Sequence, residues 1–521
     1  MSETLLSCLE RAAQSGEGVR FLERSEERWV SYREVLESAR VVAGGLRELG
    51  IDEGARVAVA VATGPSFYHA FFGVLAAGAS PLSLPLPPRF GAGRSFREEL
   101  CASVQAAKAR LVLTDVPGRV RVEDVPVVAL PELPHAAPLL VDRDADSLAL
   151  VQLSSGTTGA PKAVPLTHRQ ILSNVRAIRD RILESYPAER HDHGGVSWLP
   201  LYHDMGLVGA VLTALAEPAP LALMKPEEFV ARPARWLQAI SRTRATISAA
   251  PNFAYELAVD KARDEELEGV DLSSWLLALV GAEPITASTL SRFYERFRAY
   301  GLRREAFTPV YGLAEASLAV TFSDPGAPFT CRSFASDPLA EGRAIEAEGG
   351  TGIVSSGRPL PGMEVEIADE RGERLSSGRV GRVLVRGPSV TSEGLGPDGF
   401  LDTGDLGFFC EGELYLCGRS RDLLILRGQN YPPERIERAL DGIPGLRAVA
   451  AVSCDGGLCL LAERSPELDL QRAIEEIRTR VLECCGVDPG VIFLSVGALP
   501  RTSSGKIRRQ EAARLFAGAG L

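Results

Sequence analysis

Residues 148–153 form a mostly apolar run that opens directly into Ser154-Ser155-Gly156-Thr157-Thr158-Gly159-Ala160-Pro161-Lys162. Two glycines and four hydroxyl residues leave backbone N–H groups and hydroxyls open to an anion with little steric obstruction. Shortly afterwards Thr167 can cap a helix whose apolar positions Ile171, Val175, Ile178 and Ile182 fall on one face. This order constrains the region to α/β layering, with the loop between a strand and a helix, where open α/β sheets hold ligands. The loop reads as a phosphate grip. It is not a Walker A loop, which needs Ser or Thr directly after the lysine, because Ala163 follows Lys162.

The chain of 521 residues is too long for one hydrophobic core. Its N-terminal half alternates helical patterns with short apolar runs at 56–62, 109–114 and 126–130, predicting partly parallel sheets. From about Thr351 the texture changes to short β-like segments, 363–368 and 379–386, separated by turn residues. Beyond Gly418-Arg419-Ser420-Arg421-Asp422 a small α+β unit is predicted. Pro432-Pro433 opens a short helix in it, and Leu470, Ile474, Ile477 and Val481 mark an amphipathic one. The fold class is therefore α/β: an N-terminal domain over residues 1–420, with two α/β sheets and a β-rich subdomain, followed by a small α+β domain over 421–521.

A net charge of −11 argues against a nucleic-acid partner, which needs a surplus of Lys and Arg. The acidity is uneven, since residues 421–521 hold 14 basic and 13 acidic side chains. Nine cysteines occur without a CxxC pair or zinc-like spacing, and Cys484 and Cys485 are adjacent, which points to thiols in a reducing compartment. Residues 1–20 lack the pattern of a secretory signal, so a cytoplasmic location is expected. Two nearly uncharged runs, 68–88 and 206–224, contain Gly and Pro and read as buried core, so no membrane span is expected.

Three later segments answer the phosphate loop: Tyr311-Gly312-Leu313-Ala314-Glu315, Thr403-Gly404-Asp405 and Ser503-Ser504-Gly505-Lys506. In this order and spacing the chain resembles the adenylate-forming superfamily of acyl- and aryl-CoA synthetases, peptide-synthetase adenylation domains and luciferases, which joins a carboxylic acid to AMP. Trp198-Leu199-Pro200-Leu201-Tyr202-His203-Asp204-Met205-Gly206-Leu207, Pro251-Asn252-Phe253-Ala254-Tyr255 and Gly281-Ala282-Glu283-Pro284 look like its fatty-acyl-AMP ligase branch.

The resemblance implies a set of roles. Ser154, Ser155, Gly156, Thr157, Thr158, Gly159 and Lys162 would hold phosphates. Glu315 would bind Mg²⁺, as one carboxylate plus phosphate oxygens suits that ion. Tyr311 and Gly312 would lie at the nucleotide, and Gly281, Ala282, Glu283 and Pro284 would form the adenine wall. Asp405, supported by Arg419, would take the ribose hydroxyls, since a carboxylate accepts two hydrogen bonds from a vicinal diol. His203, Met205, Asn252, Phe253 and Tyr255 would line the acyl pocket.

Lys506 would be the catalytic cation, reaching the carboxylate and the α-phosphate together as charge accumulates. Arg421 stands at the family's hinge, about which the mobile C-terminal domain swings between two steps. The implied activity makes acyl-AMP and pyrophosphate from ATP and a carboxylic, notably fatty, acid. The acyl group then passes to the phosphopantetheine of an acyl carrier protein, or alternatively to free CoA. The basic run from Arg501 to Arg509 is a candidate docking site for an acidic carrier.

Two departures from the family stand out: residues 391–401 replace a longer passage containing Gly-Tyr-Trp, and Ala314 stands where many relatives carry Thr. A different class is a non-catalytic relative that only binds nucleotide or acyl ligands; Glu315, Asp405 and Lys506 speak against it. His191, Asp192, His193, His203 and Asp204 lack a zinc motif, and no G-x-S-x-G elbow marks a hydrolase.

Overall fold

The computed structural model describes residues 3–23, 26–87, 94–154, 161–186, 193–426, 429–454, 457–501 and 507–516. Ser155, Gly156, Thr157, Thr158, Gly159 and Lys506 lie outside them, as do His191 and Asp192.

Alternating strands and helices build two stacked sheets. A six-stranded sheet contains Arg56–Ala60, Ser80–Ser83, Leu111–Thr114, Val127–Ala129, Leu148–Ser154 and Lys162–Thr167. A nine-stranded sheet runs from Arg358–Pro359 at one edge to Glu27–Ser31 at the other, with Ile247–Ala250, Leu277–Val280 and Phe307–Gly312 as parallel neighbours. Helices Tyr32–Glu48, Pro65–Ala76 and His168–Ser185 lie between the sheets, sharing one core with Val57, Leu111, Phe21 and Leu223. Helix Arg94–Ala106 covers the opposite face of the six-stranded sheet through Leu100 and Val104. A cluster of Trp236, Tyr255, Trp275, Phe293 and Phe297 fills the far side of the nine-stranded one.

Residues 68–79 of the first apolar run and 207–215 of the second contribute buried side chains to this core, and no helix among the described residues is long and apolar enough to cross a membrane. The β-rich part is a four-stranded antiparallel sheet of Glu364–Ala368, Gly381–Arg386, Leu401–Cys410 and Glu413–Arg419. After it comes the small α+β unit, a three-stranded sheet of Leu446–Cys454, Gly457–Arg464 and Gly490–Ser495 packed by helices Pro433–Ala439 and Leu470–Cys485.

Two local expectations are corrected. The phosphate loop does not run from strand straight to helix: Leu148–Ser154 pairs antiparallel with Lys162–Thr167, and the helix follows the second strand. Val164 and Leu166 alternate inward at the strand period, and Pro165 is tolerated because this strand is the sheet's edge. In Leu470–Cys485 the packed stripe is Ala473, Ile477, Val481 and Cys485, while Leu470, directly after the Asp469 cap, stands 40% exposed.

Helix His168–Ser185 forms as its sequence predicts. Thr167 and Gln170 make a reciprocal capping box, and Ile171, Val175, Ile178 and Ile182 are buried. Asn174 clamps this helix to the neighbouring strand, donating to the Ala319 carbonyl at 2.7 Å and accepting from the Ala319 N–H at 3.0 Å. Its side chain is fully buried, so Asn174→Ala strands two backbone groups and should cost about 2–3 kcal/mol. A lowered melting temperature, with the four motifs intact in sequence, checks this.

Candidate active site

The carboxyl ends of the parallel strands meet at one edge, where a cleft of about 1270 Å³ opens. Ser154, Gly281 and Tyr311 stand at or just beyond three of those ends. The turn after Tyr311 organises the rest. A side chain at Gly312 would meet the Leu318 carbonyl oxygen at 1.8 Å, so only glycine lets the chain fold back this tightly. The Leu313 N–H closes the turn on the same carbonyl at 2.8 Å. Ser317 adopts a φ of +68° and donates to the Ser389 carbonyl at 2.8 Å, fixing the far side of the turn.

Glu315 projects from this turn into the cleft. Its Oε1 accepts from Ser154 Oγ at 3.0 Å and lies 3.7 Å from Lys162 Nζ. Ser154 and Lys162 face each other across the hairpin, so the two flanks of the phosphate loop are tied to this carboxylate. The short passage after residue 390 stays attached too. The Thr391 N–H donates to the Glu315 carbonyl at 2.7 Å, and Thr391 Oγ1 to the Pro165 carbonyl at 3.0 Å. Glu315 is 15% exposed and presents a hard oxygen donor to the cleft. No group of three or more His, Cys, Asp or Glu side chains able to hold a metal occurs among the described residues. One carboxylate completed by phosphate oxygens and water fits magnesium, which keeps several waters.

On the other side of the turn Tyr311 Oη donates to Asp405 Oδ2 at 2.7 Å. Burial, reinforced by the adjacent Asp405 carboxylate, pushes the Tyr311 phenol well above its ordinary pKa and keeps it a neutral donor. Asp405 and Arg419 are directly opposite in antiparallel strands, with Arg419 Nε 3.2 Å from Asp405 Oδ1. Both carboxylate oxygens are thus oriented, and each keeps lone-pair capacity for a diol hydroxyl.

Ala282, Glu283 and Pro284 line the cleft, with Ala282 at φ +67°. Gly281 stands behind them, where a Cβ would meet the Val310 carbonyl oxygen at 2.8 Å. His203 and Met205 also line it, in a segment that continues through a π-helical turn at Leu207–Leu212. Arg421 reaches the cleft from the turn after Arg419; burial first, then the neighbouring Arg419, holds its pKa below the usual arginine value.

Three expected pocket residues do not line the cleft. Tyr255 is fully buried among Trp236, Trp275 and Phe293, its hydroxyl 3.4 Å from the Leu279 carbonyl. Asn252 Oδ1 accepts from the Thr286 N–H at 3.1 Å, and the Phe253 N–H donates to Glu283 Oε1 at 2.5 Å. Asn252 and Phe253 therefore brace the 281–286 loop from behind.

Two arginines of the basic tail are engaged within the chain. Arg509 is largely buried, with Glu437 at 2.7 Å, Glu434 at 3.0 Å and Asp422 at 3.7 Å. Burial lowers its pKa, and Glu437 leads the carboxylates that more than offset this. Arg508 reaches Glu99 of helix Arg94–Ala106 at 2.7 Å. Glu99 and Thr391 escaped the sequence reading because neither belongs to a local motif.

One cleft thus brings together the turn carboxylate of Glu315, the Asp405–Arg419 ion pair beside Tyr311, and Ser154 and Lys162. The chain belongs to the AMP-binding enzyme family, matched over residues 9–393. It is 34% identical to the long-chain-fatty-acid–AMP ligase FadD23 of Mycobacterium tuberculosis, across 89% of this chain and 86% of that one. It is 32% identical to the medium-chain-fatty-acid–[acyl-carrier-protein] ligase JamA of Moorena producens, across 92% and 88%. A solved structure from work on fatty acyl-adenylate ligases of E. coli and L. pneumophila superposes with a TM-score of 0.92 at 32% identity, covering 99% of this chain and 98% of that one.

The Arg509 cluster generates a stability prediction. Arg509→Met leaves Asp422, Glu434 and Glu437 facing one another without their shared cation, at a cost of about 3–5 kcal/mol. Faster proteolysis of the C-terminal unit and a lower melting temperature check this, whereas a mere docking arginine would leave both unchanged.

Proposed function

We propose that the protein activates a fatty carboxylic acid with ATP, forming acyl-AMP and releasing pyrophosphate, and then passes the acyl group to the phosphopantetheine thiol of an acyl carrier protein. The observation that carries this reading is the two-sided turn at Gly312. It turns Glu315 toward the phosphate-loop flanks and Tyr311 toward Asp405 and Arg419, as one bound nucleotide would require. Similarity to the AMP ligase and the carrier-protein ligase above supports the acid class and the acceptor.

In the first step a carboxylate oxygen attacks the α-phosphorus and pyrophosphate leaves; in the second the thiol attacks the acyl carbon, AMP leaves and the thiol proton is released. The first step brings two anions together, so it depends on preorganised donors and cations more than on a general base. Magnesium held by Glu315, when bound, would neutralise phosphate charge. Ser155, Gly156, Thr157, Thr158 and Gly159 would hold the β- and γ-phosphates, Lys162 would add charge, and Ala282, Glu283 and Pro284 would bound the adenine. His203 and Met205 would contact the acyl chain. Lys506 would bridge the carboxylate and the α-phosphate.

The domain boundary falls at Ser420, with Arg421 in the hinge and the C-terminal unit closing the cleft, which shields the mixed anhydride from water. The cysteines whose side chains are described are free thiols, which supports a reducing, cytoplasmic setting.

ATP–pyrophosphate exchange across straight-chain, branched and aromatic acids tests the first step: exchange should require a carboxylate and be strongest with a fatty one. Lys506→Ala should lower it by roughly 10²–10³-fold while leaving ATP binding largely intact. Near-normal turnover in that variant would remove the assigned role. Supplying holo carrier protein or CoA after acyl-AMP has formed decides the acceptor.

A further inference from the structure

The residues flanking 502–506 are fastened across the cleft by an ion pair. Arg501 and Ile507 form an antiparallel bridge, and the Arg508 N–H donates to the Pro500 carbonyl at 2.8 Å, so Arg508 is fixed at the root of the segment that ends in Lys506. From there Arg508 Nη2 donates to Glu99 Oε1 at 2.7 Å, with the two side chains 25% and 33% exposed. Glu99 belongs to helix Arg94–Ala106, packed on the six-stranded sheet of the large domain. Both residues line the cleft.

Within its own unit Arg508 also lies 3.6 Å from Glu511, three residues on. Glu511 accompanies Arg508 in any domain arrangement and aims its guanidinium; Glu99 is a partner that only this arrangement supplies. Other contacts cross between the units, such as Arg435 Nη1 to the Ser336 carbonyl at 3.0 Å and Arg447 to Asp260 at 3.9 Å. Those begin on elements remote in sequence from Lys506.

We propose that the Arg508–Glu99 pair is a positioning latch: it holds the residues flanking 502–506 at the cleft for acid activation and opens before the thiol attacks. The proposal rests on the two-step reading above. Arg508 and Glu99 act through Lys506 and are positioning residues. A charge-assisted hydrogen bond between half-buried side chains biases a two-state domain equilibrium, and its loss should shift the latched fraction by roughly three- to tenfold.

The test measures the two half-reactions separately in the full chain. Glu99→Gln should slow carboxylate-dependent pyrophosphate exchange by roughly three- to tenfold while leaving transfer from supplied acyl-AMP to pantetheine unchanged or faster. Glu99→Asp should recover part of the exchange rate. Arg508→Gln should slow exchange similarly, and the double variant should be no slower than either single one, as a shared interaction requires. Hydrogen exchange gives a readout independent of turnover: amides of helix Arg94–Ala106 should take up deuterium faster in Glu99→Gln. Equal slowing of both half-reactions, multiplying effects in the double variant, or unchanged deuterium uptake would each overturn the latch. If the unmodified protein shows no exchange with any acid, the proposed activity fails on its own, and deuterium uptake still decides for or against the latch.

Discussion

The close approach of backbone to backbone at Gly312 is the constraint on which the site depends. With the Leu318 carbonyl occupying the space of a side chain there, the strand that ends in Tyr311 reverses at once. Tyr311 and Glu315 consequently face opposite halves of one cleft. Everything else is arranged about that reversal: the phosphate-loop flanks come to Glu315, and the β-rich sheet brings Asp405 and Arg419 to Tyr311. Asn174 and Ser317 hold the reversal to the helix on one side and to Ser389 on the other.

Charge is compensated locally in this acidic protein. Lys162 lies by Glu315, Arg419 by Asp405, Arg508 by Glu99, and Arg509 by three carboxylates. Cations already paired in this way have less field to offer a triphosphate than unpaired ones would. In the proposed reaction the triphosphate would therefore need further positive charge, the part given there to a divalent ion on Glu315 and to Lys506. The same pairing bears on the basic tail, where Arg501 pairs with Glu463 and Arg509 with Glu437 inside the small domain, and Arg508 ties it to Glu99 of the large one.

What the sequence made legible was what is local. The capped helix after the loop, the strands at 56–60, 111–114 and 364–368, and the change to β structure all follow from periodicity over a few residues. Of the motif residues, Ser154, Lys162, Tyr311 and Arg419 sit at or next to strand ends and Glu315 in a turn, while Asp405 lies within strand Leu401–Cys410 and is brought to the cleft by its pairing with Arg419. What failed needed three-dimensional information. Tyr255 reads equally as pocket or core until Trp236 and Trp275 are seen around it. The hairpin escaped notice because Pro165 argues against a strand unless the strand is known to be an edge. Glu99 carries no motif, and its partner lies 409 residues away.

The central claim is that a carboxylate oxygen attacks the α-phosphorus of ATP in this cleft. Supplying a fatty acid labelled with ¹⁸O in both carboxyl oxygens, and analysing the products after thiol transfer, tests it directly. Attack at the α-phosphorus followed by thiol attack at the acyl carbon leaves one labelled oxygen in AMP and none in inorganic phosphate or pyrophosphate. Label in inorganic phosphate, as an acyl-phosphate route would give, or thioester formed with unlabelled AMP, would contradict the account.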